Sequence, residues 1–260
     1  MTGVYPMALR ALLLSLAFCA SAAAAPVPTG APPLRLLRLP PLAPKVFALP
    51  RLVAGRGDAA ARLVNKALAV ADASARDAAA DCRAMGKRHS DFSRSVDVTM
   101  QGPLYFSVTE TRSWYCGGAY PDWSTTPLVY DLASGAAVDL KTLLPRGLID
   151  KTADYNSPGE GLVVSAALTQ LYRPGTMSDP QCADVLTHWP DGLAFMLWPD
   201  AAGDGIALMP GNLPHVVKAC GDIVTVGTER LRQLGVDARL LDAIDEAHGK
   251  GWYDKPAPAR

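Results

Sequence analysis

Five cysteines, four histidines and 25 acidic residues are the groups in this 260-residue chain from which chemistry could be built. The histidines, His89, His188, His215 and His248, lie far apart. None forms the H-x-x-x-H pair that sets two zinc ligands on one helix face. Nucleophile patterns of the G-x-S-x-G or S-x-x-K kind do not occur, nor does a phosphate-cradling P-loop. Gly203-Asp204-Gly205 looks like a fragment of a calcium loop, but the alternating ligands and closing glutamate are missing. Gly and Asp are also the ordinary residues of a turn. Paired carboxylates for glycoside hydrolysis would have to meet in the tertiary structure, so spacing neither reveals nor removes them. The expectation is no catalytic residue, no metal site and no cofactor.

The cysteines point to oxidative pairing instead. Met7–Arg10 followed by ALLLSLAFCASAAAA is a basic start, an apolar stretch and a small-residue exit, the pattern of a secretory signal peptide cleaved near Ala25. That apolar stretch is shorter than the ~20 residues a spanning helix needs. Phe18 is too bulky to precede a lipidated Cys19. Four cysteines then remain, Cys82, Cys116, Cys182 and Cys220, an even number in an exported chain. Three connectivities are open, and the spacings suggest the local pairs Cys82–Cys116 and Cys182–Cys220. The expected location is periplasmic or secreted.

Removal of residues 1–25 takes away Arg10 and no acid, leaving a net charge of −1. A nucleic-acid binder would carry a basic stripe, and none is visible. No later segment is apolar enough to span a bilayer. The chemistry-bearing stretch that stands out is Trp114 to Asp122, WYCGGAYPD, with Trp123 next to it. Gly117-Gly118 permits a sharp turn after a strand. Cys116 would pin that turn to the end of a helix through Cys82. Tyr115, Tyr120, Asp122 and Trp123 would then surround a rigid rim. Such aromatics suit recognition of a protein or sugar face, and they equally suit covering the end of a sheet.

The elements that must position these residues can be read from period and punctuation. Residues 26–52 carry eight prolines by position 51 and form an extended tether, its leucines leaving open whether part of it lies on the domain. Residues 53–250 form a single α+β domain, and 251–260 a flexible tail. Asp58 caps an alanine-rich helix that stops at Gly86, and this accounts for the aspartate of Arg56-Gly57-Asp58 without invoking an integrin-type motif. SVDVTM and LYFSVTETRSWYC alternate as strands around the turn QGP. PLVYDL and AAVDL read as a second hairpin, and LKTLLP as one helical turn. A helix is expected over 162–172 and another opening at Asp179-Pro180. LAFMLW, IALMP, HVVKAC and DIVTVG are expected strands, followed by helices at 229–234 and 238–247. Helices and antiparallel hairpins without a β-α-β rhythm make the class α+β.

Tyr105 to Leu144 resembles the domain of unknown function shared by the anti-sigma factor RsiV and the peptidoglycan deacetylase PdaC. Gly117, Gly118, Ala119, Asp131, Leu132, Gly135, Leu140 and Leu143 match the layout of that domain. Tyr120 stands where the family usually has histidine. The resemblance implies an extracytoplasmic α+β module that recognises an envelope component, either a lysozyme-like protein or peptidoglycan. The metal-binding motifs of a deacetylase domain are absent from the sequence, so that reaction is not implied. The expected function is a non-catalytic binding module, the alternative a hydrolase acting on envelope polymers. Oligomeric state is not legible.

Overall fold

The computed structural model describes residues 34–154, 161–176, 180–187 and 193–255. Proline spaces the first of these segments without freeing it. Strands β1 (Leu36–Leu37) and β2 (Arg51–Leu52) pair antiparallel, and Val46 bridges in parallel to Arg94. Val46, Leu49 and Leu52 are buried. The aliphatic side chains between the prolines therefore hold residues 34–52 on the domain, the arrangement the leucines left open. The signal peptide falls outside the described residues.

Helix α1 (Ala59–Gly86) begins where the Asp58 carboxylate accepts a hydrogen bond from the Ala61 amide at 2.8 Å. Val64, Leu68, Ala75, Ala79 and Cys82 recur on its buried face. Beneath it lies a three-stranded antiparallel sheet, β3 (Asp91–Gln101), β4 (Tyr105–Tyr115) and β5 (Asp122–Asp131), in sequence order. Alternation divides the faces of this sheet. Val98, Phe106, Val108 and Tyr130 pack with α1, while Met100, Tyr105 and Val129 join the larger core on the other side. A bulge at Thr99 frees its carbonyl to accept the Ala201 amide at 2.9 Å, which ties this sheet to the second one.

That second sheet has the order β10-β9-β8-β7-β6 and is antiparallel throughout. Its strands are β6 (Lys151–Asp154), β7 (Gly161–Val164), β8 (Ala194–Asp200), β9 (Gly205–Pro210) and β10 (Val224–Gly227). Helices α2 (Ala166–Thr176), α3 (Pro180–Thr187), α4 (Thr228–Gln233) and α5 (Ala238–Lys250) share its core. Phe195, Trp198 and Leu208 of the sheet meet Leu168, Leu186 and Ile244 of the helices there. The class is α+β, as the mixed pattern implies.

Four local expectations are corrected. HVVKAC is a 3-10 helix, His215–Cys220, not a strand. Pro214 sets its entry and accepts the Val217 amide, and β10 already takes the edge of the sheet. AAVDL contributes one bridge, Ala137 to Tyr130, before a 3-10 turn at Leu140–Leu143. The Asp131 carboxylate closes the intervening turn by accepting the Ser134 amide at 2.7 Å. The helix expected from 162 starts at Ala166, because Leu162 to Val164 pair as strand and Ser165 caps the Leu168 amide. The flexible tail is corrected for residues 251–255. Trp252 is buried, its carbonyl accepts the Gln101 amide, and the Asp254 carboxylate accepts the Val98 amide. Asp179 and residues 256–260 lie outside the described residues. No helix among the described residues is long and apolar enough to cross a membrane.

Candidate functional site

β4 ends in Trp114-Tyr115, and Cys116 is bonded to Cys82 near the end of α1, with Cα atoms 4.7 Å apart. Gly117 follows at φ 92°, and a Cβ on Gly86 would meet the Cys116 carbonyl carbon at 2.9 Å. Both glycines are needed, one for a left-handed turn and one for a close backbone approach. Gly118 has no positive φ and shares no such duty. The second disulfide, Cys182–Cys220, joins α3 to the 3-10 helix at His215–Cys220. Both expected pairs are therefore present. Together they hold the turn at 116–121 and the short helix in fixed relation to their own halves of the fold.

Those halves meet at β5. The Lys218 ammonium donates to the Asp122 carboxylate at 2.6 Å and to the Trp123 carbonyl at 3.0 Å. It also lies 5.8 Å from the centre of the Trp123 ring. His215 Nδ1 is 3.4 Å from the same Asp122 oxygen, and its ring is 5.7 Å from that of Tyr120. Partial burial alone would raise the Asp122 carboxyl. Hydrogen bonds from Lys218, the Trp123 amide and His215 outweigh that and hold it below its ordinary value of 3.8.

Behind this rim a cleft of about 600 Å³ runs past the end of β5, from Ser74 of α1 to the second sheet. Glu110, Arg112 and Trp114 of β4 and Asp122 and Ser124 of β5 line it on the sheet face turned to α1, and Trp123 lines it from the opposite face. Met196, Met209 and Leu213 line its far end, with Lys218 at the join. Glu110, Arg112 and Trp114 project from one face of β4 because they alternate along it, and cross-strand pairing puts Ser124 opposite Arg112 and Asp122 opposite Trp114. A smaller cavity of about 240 Å³ continues along β5 past Pro127 and Val129.

Of the residues expected at a rim, Asp122 and Trp123 line the cleft. Trp123 is half-buried and packs on the main core as well as lining the cleft. Tyr120 is 73% exposed and stands against His215. Tyr115 is half-buried at the end of β4, opposite Asp91, and does not line the cleft. Glu110, Arg112, Trp114, His215 and Lys218 were not singled out from the sequence. The available signal was the run Phe106, Val108, Glu110, Arg112, Trp114, in which charges take over the inward positions of a strand.

No protein-family profile matches this chain, and no curated protein matches it. Among solved structures, the fold is similar to a DUF3298 family member from Bacteroides fragilis NCTC 9343. The identity is 13%, the match covers 76% of this chain and 86% of that one, and the TM-score is 0.47. It is also similar to a DUF3298 family protein from Pseudomonas aeruginosa PAO1, at 16% identity, 66% and 71% coverage and a TM-score of 0.39.

Proposed function

We propose that this chain is an exported, non-catalytic binding module that takes a component of the cell envelope, peptidoglycan in the first instance, into the cleft behind Asp122 and Trp123. The observation that carries the reading is the composition of that cleft. Two tryptophans, two methionines and a held Asp122–Lys218 pair offer aromatic area with a few fixed polar groups, the make-up of a recognition site. The resemblance to the RsiV and PdaC domain runs from Tyr105 to Leu144, and this is the stretch that forms β4, the pinned turn and β5 beside the cleft. Two disulfides accord with an oxidising compartment.

The cleft's two acids speak for binding over hydrolysis. A glycosidase needs one carboxyl kept protonated beside a second that is ionised. Asp122 is held ionised by its partners, and Glu110 is locked between the guanidiniums of Arg94 and Arg112. Neither is placed to donate a proton to a leaving group.

The test is retention of the purified exported chain on insoluble peptidoglycan and on immobilised lysozyme, with the peptidoglycan supernatant assayed for released fragments and acetate. Retention on peptidoglycan without release is expected. Retention on lysozyme alone would move the ligand from glycan to protein, and release of fragments would establish the hydrolase.

A further inference from the structure

The buried charges that lead to the cleft do not cancel, and the excess has a definite place. Five ionised side chains run in series from the N-terminal segment to the cleft. Arg51 pairs with Asp72 at 2.6 Å, Asp72 with Arg94 at 2.7 Å, Arg94 with Glu110, and Glu110 with Arg112 at 2.7 Å. Three are cations and two are anions, so one positive charge is left over.

At the Arg51 end that charge is absorbed by the protein. The guanidinium also donates to the carbonyls of Leu49 and Pro50, at 2.8 and 3.3 Å. At the other end, Arg112 meets only the Glu110 carboxylate among the described residues, and its enclosed Nε has no acceptor. Arg94 Nε also lacks an acceptor, but the Arg94 side chain is fully enclosed. Arg112 is 20% exposed and lines the cleft. The other cation there, Lys218, is matched by Asp122. The unmatched charge therefore lies at Arg112, the cation of the series that the cleft reaches.

We propose that the cleft binds a carboxylate-bearing amino sugar, with Arg112 receiving the carboxylate and Trp114, on the same face of β4, covering the sugar ring. This rests on the binding-module reading above and names the ligand's chemistry. A guanidinium fork suits a planar carboxylate, and indole faces suit the apolar side of a pyranose. A phosphate dianion fits less well. It would bring one negative charge more than Arg112 leaves unmatched and set it near the buried Glu110. In peptidoglycan the 3-O-lactyl ether of N-acetylglucosamine carries such a carboxylate wherever the stem peptide, otherwise joined to it as an amide, has been removed.

The experiment is a titration of the unaltered exported chain with three disaccharides, followed by tryptophan fluorescence and calorimetry. The probes are N-acetylglucosaminyl-N-acetylmuramic acid, the same compound with its lactyl carboxyl converted to the methylamide, and the neutral dimer of N-acetylglucosamine. The acid should bind about tenfold or more tighter than either neutral probe, and the preference should shrink as salt is raised. Arg112→Gln should abolish the preference. Arg112→Lys, which keeps the charge beside Glu110 but loses the fork, should retain part of it. Equal affinity for the three probes would overturn the carboxylate assignment and leave the binding module standing. Failure of all three while intact peptidoglycan or lysozyme is still retained would overturn it as well. Failure of every probe and both polymers would remove the binding reading too.

Discussion

Lys218 and Asp122 stand 96 residues apart in the chain and 2.6 Å apart in space. Their contact fastens the short helix His215–Cys220 to the first residue of β5. The same ammonium binds the Trp123 carbonyl, so it also protects a main-chain acceptor at the start of β5, an edge strand of the three-stranded sheet. One side chain thus sets the width of the cleft's mouth and guards its wall.

The pair should make stability depend on acid. Asp122 is held below its ordinary value of 3.8, so the unfolded chain takes up its proton more readily than the folded one. The contribution is present above pH 3.8 and is lost as the pH falls below it towards the lowered native value. Thermal melts between pH 2 and 6 should show Asp122→Asn flattening the acid limb, with a loss of about 0.5–1 kcal/mol near neutrality, because both partners are partly exposed. An unchanged acid limb would show that the pair contributes nothing.

Trp123 and Tyr120 should separate packing from recognition. Truncating a fully buried tryptophan costs about 3–5 kcal/mol, and half-buried Trp123→Ala should cost roughly half of that. Tyr120→Ala, at an exposed position, should stay within about 0.5 kcal/mol of the parent. Trp123→Ala should also weaken retention on peptidoglycan when assayed well below its melting temperature. Retention equal to the parent's would leave Trp123 a packing residue only.

Arg94 is the keystone of the buried charge series. Its side chain is fully enclosed and faces both Asp72 and Glu110, themselves 4% and 5% exposed. Arg94→Met would leave two buried carboxylates short of a partner, at a cost of about 3–5 kcal/mol. Urea denaturation should show the midpoint falling with little change in slope. A loss below about 1 kcal/mol would mean that water replaces the guanidinium.

Peptide mapping without reduction should recover Cys82–Cys116 and Cys182–Cys220 as linked pairs. Cys116→Ala should lower stability by about 2–3 kcal/mol, since the bond closes a loop of moderate length. It should also loosen the turn at Gly117, read as faster amide exchange at residues 116–120.

N-terminal sequencing of the exported chain should start near Pro26. Material that retains Leu12–Phe18, or a lipid on Cys19, would place the protein at a membrane instead.

Much of the framework follows from local pattern. The period of Val64, Leu68, Ala75 and Ala79, with Asp58 before it, is enough to specify α1, because helical spacing and capping are properties of neighbours in the chain. Alternation along Val96 to Trp114 specifies β3 and β4 for the same reason. Cys82, Cys116, Cys182 and Cys220 are an even set that suggested oxidative pairing, and their spacing suggested the pairs observed. The apolar residues among the prolines, Val46, Leu49 and Leu52, already carried the means of docking, though not the surface they would find.

The cleft is a tertiary product. Arg112 looks from sequence like any strand arginine. It becomes the open end of a charge series only because α1 lays Asp72 over Arg94, and β3 and β4 set Arg94 beside Glu110. Lys218 lies in a hexapeptide whose apolar residues read as strand. Pro214 and the disulfide at Cys220 make that hexapeptide a 3-10 helix, and the packing of one sheet on the other decides that its ammonium reaches Asp122. Local energetics select a backbone conformation within a few residues. Which charges face one another depends on the long-range burial of two apolar surfaces, and that is settled only when the sheets meet.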